Sequence, residues 1–184
     1  MKPFLLAAAL AALSHPALAQ TSPRKASSPS EAADCAAQQG ALPETWKGQA
    51  YAIDGDTLAG VGLKPHIRIW GIQAPELRDG SKAERIAGMR ARAALEDLLE
   101  PADHKVRCRV TKFDRYCRLV AQCTVEGTPD GDLAGALLAA GVAYGFYLDE
   151  VLPWEPRASQ RYASAEAEAR KQRRGLWKEW LGEK

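Results

Sequence analysis

Histidine is scarce in this 184-residue chain: there are three, His15, His66 and His104, scattered along it. The four cysteines, Cys35, Cys108, Cys117 and Cys123, have none of the spacings of a zinc site. A His/Cys metal centre is therefore excluded as the basis of function. Net charge is also small, at +2, so nucleic-acid binding cannot be argued from bulk electrostatics and must rest on local clusters. Beyond the N-terminal segment, no apolar run is long enough to span a bilayer. Composition is unexceptional, with 46% hydrophobic and 26% charged residues, and suits one domain with added segments.

What is present begins with a targeting pattern. Lys2, the apolar run from Phe4 to Leu13 and the small-residue site Ala17-Leu18-Ala19 read as a secretory signal peptide over 1–19. The run is shorter than the ~20 residues of a spanning anchor, and no cysteine stands at the cleavage point for lipidation. The expected mature protein is exported, periplasmic or secreted, monomeric, and without a membrane span. Such a compartment permits disulfides. Residues 20–45, rich in Ser, Ala and Pro, read as a flexible linker. The folded domain is expected over 46–180 and a short tail over 181–184.

Strand signals open the domain. Residues 46–54 and 57–63 read as strands joined by Asp54-Gly55-Asp56, and alternation over 66–72 reads as a third. From Ser81 to Leu99 the period becomes helical, with Ile86, Met89, Ala93, Leu95, Leu98 and Leu99 as the apolar positions and Ser81/Glu84 as a capping box. Residues 105–125 read as a hairpin. A two-residue loop at Arg115-Tyr116 puts Cys108 opposite Cys123, within bridging reach, although strict counting makes theirs a hydrogen-bonded pair. A Cys108–Cys123 disulfide is predicted, closing a loop worth about 3 kcal/mol in the chain-entropy model. Cys35 and Cys117 either pair or remain free thiols. A short helix over 132–140 stops at Gly141, and a charged helix over 157–174 stops at Gly175. Its basic end, Arg170 to Arg174, is either a solvated terminus favoured by the helix dipole or a DNA contact.

The residues that carry chemistry are individually ordinary. Asp54 and Asp56 flank a glycine and can bring two carboxylates to one bend, a hard-cation pattern that is also a common turn. Arg68 lies in an apolar strand, Glu76 follows Pro75 just past it, and Arg118 opens the strand after the hairpin turn.

As a set they are distinctive. Ile53-Asp54-Gly55-Asp56-Thr57, Arg68 through Glu76, Asp114-Arg115-Tyr116-Cys117-Arg118 and Arg174-Gly175-Leu176-Trp177 occur in one order. The stretch from Trp46 to Trp177 resembles the staphylococcal nuclease (thermonuclease-like) family. The resemblance implies an α+β fold, a five-stranded OB-type barrel with three helices. It implies a Ca²⁺-assisted phosphodiester hydrolase acting on DNA and RNA with little sequence specificity, single strands preferred. Asp56 and the carbonyl of Ala74 fall on metal ligands, with Asp54 near the metal. Arg68 and Arg118 fall on phosphate-contacting arginines, and Glu76 on the general base or water organiser. Arg115 and Tyr116 match a phosphate-contacting pair, and Tyr147 a base-contacting aromatic.

Two positions depart from the family pattern. Gln73 stands where a second metal-ligating aspartate is expected, so the site loses a negative charge and weaker or altered metal binding is expected. Cys117 replaces a turn glycine. An alternative reading is an OB domain of weakened or absent catalysis that binds nucleic acid or an envelope partner.

Overall fold

The computed structural model describes residues 29–78, 80–125 and 131–182. The predicted signal peptide, the start of the predicted linker and the end of the tail lie outside the described residues. The first element corrects the linker reading: Pro29–Gln39 is a helix, α1. Its Ala- and Gln-rich sequence has strong helix propensity, with Pro at the first position and Gly40 (φ +92°) at the stop. Few large apolar residues were needed because one cysteine anchors it: Cys35 is bonded to Cys117.

Five strands close the barrel: β1 (Thr45–Ala52), β2 (Thr57–Gly60), β3 (Ile67–Ile69), β5 (Lys105–Phe113) and β6 (Leu119–Thr124). Their order is β1-β2-β3-β6-β5, with β5 returning to β1, and only β3 and β6 run parallel. This is the expected α+β OB-type architecture. Closure leaves the barrel no free edge. Leu58, Ile67, Ile69, Cys108, Leu119 and Ala121 are fully buried in its core.

The third predicted strand is cut in two. Gly71 adopts φ +82°, and a β-carbon there would lie 2.8 Å from the Tyr162 ring. The chain turns there and continues as β4 (Ile72–Gln73), which pairs with β7 (Tyr144–Gly145) in a separate two-stranded sheet. Gln73 is thereby carried off the barrel and set opposite Tyr144.

The hairpin also departs from the simple reading. Cys117 N–H donates to the Asp114 carbonyl (2.9 Å), so the loop holds three residues, Arg115 to Cys117. A bulge at Thr111 then takes back the extra residue. The two departures cancel, and Cys108 faces Cys123 with Cα atoms 4.1 Å apart, the short spacing of a non-hydrogen-bonded pair. The Cys108–Cys123 disulfide is present.

The helices α2 (Lys82–Leu99), α3 (Leu133–Ala140), α4 (Ala158–Lys171) and α5 (Trp177–Trp180) follow in order. The three longer ones supply the expected count, and α1 and α5 are additional. Ser81 and Glu84 form the predicted capping box, and Asp132 and Gly141 cap α3. The buried face of α2 differs from the apolar stripe read in sequence: Ile86 and Met89 are exposed, and Ala87, Gly88, Ala91, Leu95 and Leu99 face inward. Among the described residues no helix is long and apolar enough to cross a membrane.

Candidate active site

Arg68 projects from β3 and is 7% exposed. Its guanidinium donates to the carbonyls of Ile69 (2.8 Å) and Ile72 (2.7 Å) and to Gln73 Oε1 (2.9 Å), and lies 3.3 Å from Asp56 Oδ2. Burial lowers its pKa from the ordinary arginine value; Asp56 opposes this, and the like charge of Arg118 adds to it. The two guanidiniums thus repel one another, a strain that an anion between them would relieve.

Asp56 sits behind Arg68 at the end of the Asp54-Gly55-Asp56 bend. Its Oδ2 accepts the Ala74 backbone N–H (2.7 Å) and its Oδ1 the Thr57 hydroxyl (3.1 Å). Burial pushes this carboxyl up to about 6; Arg68 opposes the rise and Asp54 adds to it. Asp54 Oδ1 accepts the Asp56 backbone N–H (3.0 Å), which shapes the bend. Gly55 is required by the packing, since a β-carbon there would meet those of Ala74 and Ala91 at 2.6 Å.

Gln73 joins the arginine to the acids. A guanidinium offers only donors, so the amide oxygen faces Arg68. The amide nitrogen then donates to the Ala74 carbonyl (3.0 Å) and to Glu76 Oε1 (3.3 Å). Glu76 itself is exposed. Its loop lies on α2 at Gly88, where a β-carbon would come within 2.5 Å of the Glu76 carbonyl oxygen.

The hairpin tip approaches from the other side. The Asp114 carboxylate accepts the backbone N–H groups of Tyr116 and Arg118 (2.9 Å each) and Arg118 Nε (2.7 Å). Arg118 also reaches Thr57 Oγ1 at 3.4 Å, which links the tip to Asp56. Arg115 donates to the Tyr116 hydroxyl, and the guanidiniums of Arg115 and Arg118 lie 4.6 and 5.5 Å from the Tyr116 ring centre.

Between these parts lies a cleft of about 290 Å³ whose walls include Arg68, Gln73, Arg115, Tyr116, Arg118 and Tyr147. Asp54, Asp56, Ala74 and Glu76 do not line it and lie beyond Arg68 and Gln73. Two aromatics of the extended 144–147 stretch had no site role in the sequence reading. Phe146 lines the cleft with the Arg68 guanidinium 5.9 Å from its ring centre, and Tyr144 is the cross-strand partner of Gln73. Period-two spacing of Tyr144 and Phe146 on an extended segment was the available signal. Burial raises the Tyr144 pKa, and the charges of Asp56 and Glu76 add to the rise, which places it beside the acids. Its ring meets Trp180 edge-on at 6.2 Å.

The donor set suits a hard cation in kind: two aspartates, an amide oxygen and a backbone carbonyl, all oxygen. Of these, the Ala74 carbonyl accepts from the Gln73 amide nitrogen, which also donates to Glu76 Oε1, while the Gln73 amide oxygen accepts from Arg68. Among the described residues no three Asp, Glu, His or Cys side chains come together as a metal cage.

The sequence profile described as "Staphylococcal nuclease homologue" matches residues 66–179. The chain is 30% identical over 123 residues to a "Probable endonuclease lcl3" of Penicillium rubens, covering 62% of this chain and 41% of that protein. It is 28% identical over 125 residues to a "Probable endonuclease LCL3" of Phaeosphaeria nodorum, covering 67% and 41%. It thus spans less than half the length of these relatives. With the family profile matching over more than half of its residues, the chain belongs to the staphylococcal nuclease homologues.

Proposed function

We propose that this protein is an exported, monomeric nuclease that hydrolyses phosphodiester bonds of DNA or RNA with little sequence specificity, preferring single strands. The observation that carries the reading is the convergence of Arg68 and Arg118, two guanidiniums anchored on different elements, on one cleft. Two such forks match the non-bridging oxygens of a phosphodiester and the charge that grows on them during attack. Glu76, exposed past β4, accepts a proton from the attacking water. Gln73 holds Glu76 and Arg68 at a fixed distance from one another through its amide. Asp56, the Ala74 carbonyl and the Gln73 amide oxygen would hold Ca²⁺, with Asp54 in support. When bound, the ion would supply positive charge against the phosphate and lower the pKa of water. The rings of Tyr116, Phe146 and Tyr147 offer base-stacking faces that do not read sequence. Two disulfides among the described residues support an oxidising compartment.

A second reading, a nucleic-acid-binding domain of weakened catalysis, is favoured by one observation: Gln73 turns an N–H toward the oxygens a cation would need. Steady-state cleavage of single-stranded DNA separates the two. Arg68→Ala and Arg118→Ala are each expected to lower kcat by about 10²-fold or more. The nuclease reading fails if either variant cleaves at the wild-type rate, or if cleavage is equal in Ca²⁺ and in chelator and resists both substitutions.

A further inference from the structure

We propose that α1, which precedes the residues matched by the family profile, is a positioning element of the site: through the Cys35–Cys117 disulfide it holds the turn that carries Arg115, Tyr116 and Arg118. The phosphate role of that turn rests on the nuclease reading; its mechanical dependence on α1 does not.

Three observations carry the inference. Cys117 stands at φ +58°, in the left-handed region where a β-carbon is disfavoured and glycine is the usual occupant. A residue that hinders its own turn has another use there, and here the side chain forms a bond to a residue 82 positions away. Second, the turn is otherwise lightly attached. Tyr116 is 63% exposed, and Tyr116 and Arg118 donate their N–H groups to Asp114 within the same turn. Among the described residues its side-chain hydrogen bond to the barrel is Arg118 to Thr57, at 3.4 Å a long one. Third, the far end of the tether is fixed. Cys35 is 2% exposed, Ala36 packs on the core, and the Gln38 carbonyl accepts Lys64 Nζ (2.5 Å).

Because Tyr116 N, Arg118 N and Arg118 Nε share one carboxylate, the turn moves as a unit, and fixing Cys117 fixes Arg118 beside it. The gain is preorganisation: guanidinium and ring are held before the ligand arrives, so binding loses less conformational freedom. Cys35 and Cys117 are positioning residues and touch no substrate.

The test compares the oxidised wild type with Cys35→Ser and Cys35→Ser/Cys117→Gly. The double variant removes the tether and also the left-handed β-carbon, so it separates tethering from relief of the turn. Amide hydrogen exchange at Tyr116 and Arg118 is measured against Ile69 and Trp70 in the barrel, and dissociation constants are measured for a single-stranded DNA 10-mer in chelator. In both variants the turn amides are expected to exchange about tenfold faster relative to the barrel amides, and the 10-mer to bind about fivefold more weakly. The proposal is overturned if turn and barrel amides accelerate together, or if the turn keeps its protection. Recovery of wild-type exchange and affinity in the double variant overturns it as well. A wild type that binds no DNA overturns the nuclease reading alone, and the exchange ratio still decides the tether.

Discussion

Burial pushes the Asp56 carboxyl from 3.8 up to about 6, even with Arg68 beside it. The folded value stands above the unfolded one, so the stability this group contributes is fully present below about pH 4 and lost as the pH rises through 6. At neutral pH the Asp56 carboxylate is a buried charge whose ionised form burial disfavours. Asp56→Asn, measured by thermal unfolding in chelator, is expected to stabilise the protein by roughly 1–3 kcal/mol at pH 7.5, a gain that shrinks toward pH 4.5. Equal or lower stability at pH 7.5 would contradict this. At this scale much was legible in the sequence: Asp54, Asp56, Arg68, Gln73, Glu76 and Arg118 form one connected set. The aromatic wall was read less completely. Tyr147, at φ +53°, lines the cleft, but so does Phe146, 5.9 Å from the Arg68 guanidinium, and Tyr144 pairs with Gln73. A single left-handed residue breaks the alternation that would have distinguished them.

Helix α2 shows why elements are read more reliably than their faces. Its cap is local chemistry, Ser81 with Glu84, and was legible. Its buried face is set by what it touches, and it touches backbone. Ala87, Gly88 and Ala91 face inward because the helix rides close on the bend at Gly55 and the loop at Pro75 and Glu76, while larger Ile86 and Met89 are turned out. Gly88 is thus a support for the proposed base. Gly88→Ala brings a β-carbon against the Glu76 carbonyl, so helix or loop must shift. The expected cost is about 1–3 kcal/mol of stability, with a fall in kcat for DNA cleavage of about tenfold or more. Unchanged kcat in a variant of lowered thermal midpoint would show that Glu76 does not depend on this contact. The β5–β6 hairpin makes the same point. Its register was legible, but the bulge at Thr111 and the three-residue tip that together produce it were not. The tip has Cys117 in a left-handed conformation (φ +58°) that glycine adopts most easily.

In the whole molecule, the barrel serves as a frame on which β4, the hairpin tip, α1 and α2 bring a distributed candidate site together. A buried polar network fastens α4 to that frame: Asp132 accepts from Arg161 and Tyr162, and Gln122 bonds Glu155 and Trp154. The hairpin is fastened at both ends, by Cys108–Cys123 in the core and by Cys35–Cys117 at the tip. The barrel was legible because short strands and tight turns have local signatures. The role of α1 was not, because a helix with few large apolar residues gives no periodic signal and its docking depends on a bond to a distant turn. The proposed function requires that this frame present a working phosphodiesterase site in which Gln73 weakens the cation without abolishing catalysis. Its most direct test is single-stranded DNA cleavage across a Ca²⁺ titration by wild type, Glu76→Gln and Gln73→Asp. On this reading wild type cleaves, Glu76→Gln is slower by about 10²-fold or more, and Gln73→Asp cleaves at lower Ca²⁺ concentration. A wild type inactive with every divalent ion, alongside an active Gln73→Asp, would contradict it, as would a Gln73→Asp variant that cleaves more slowly.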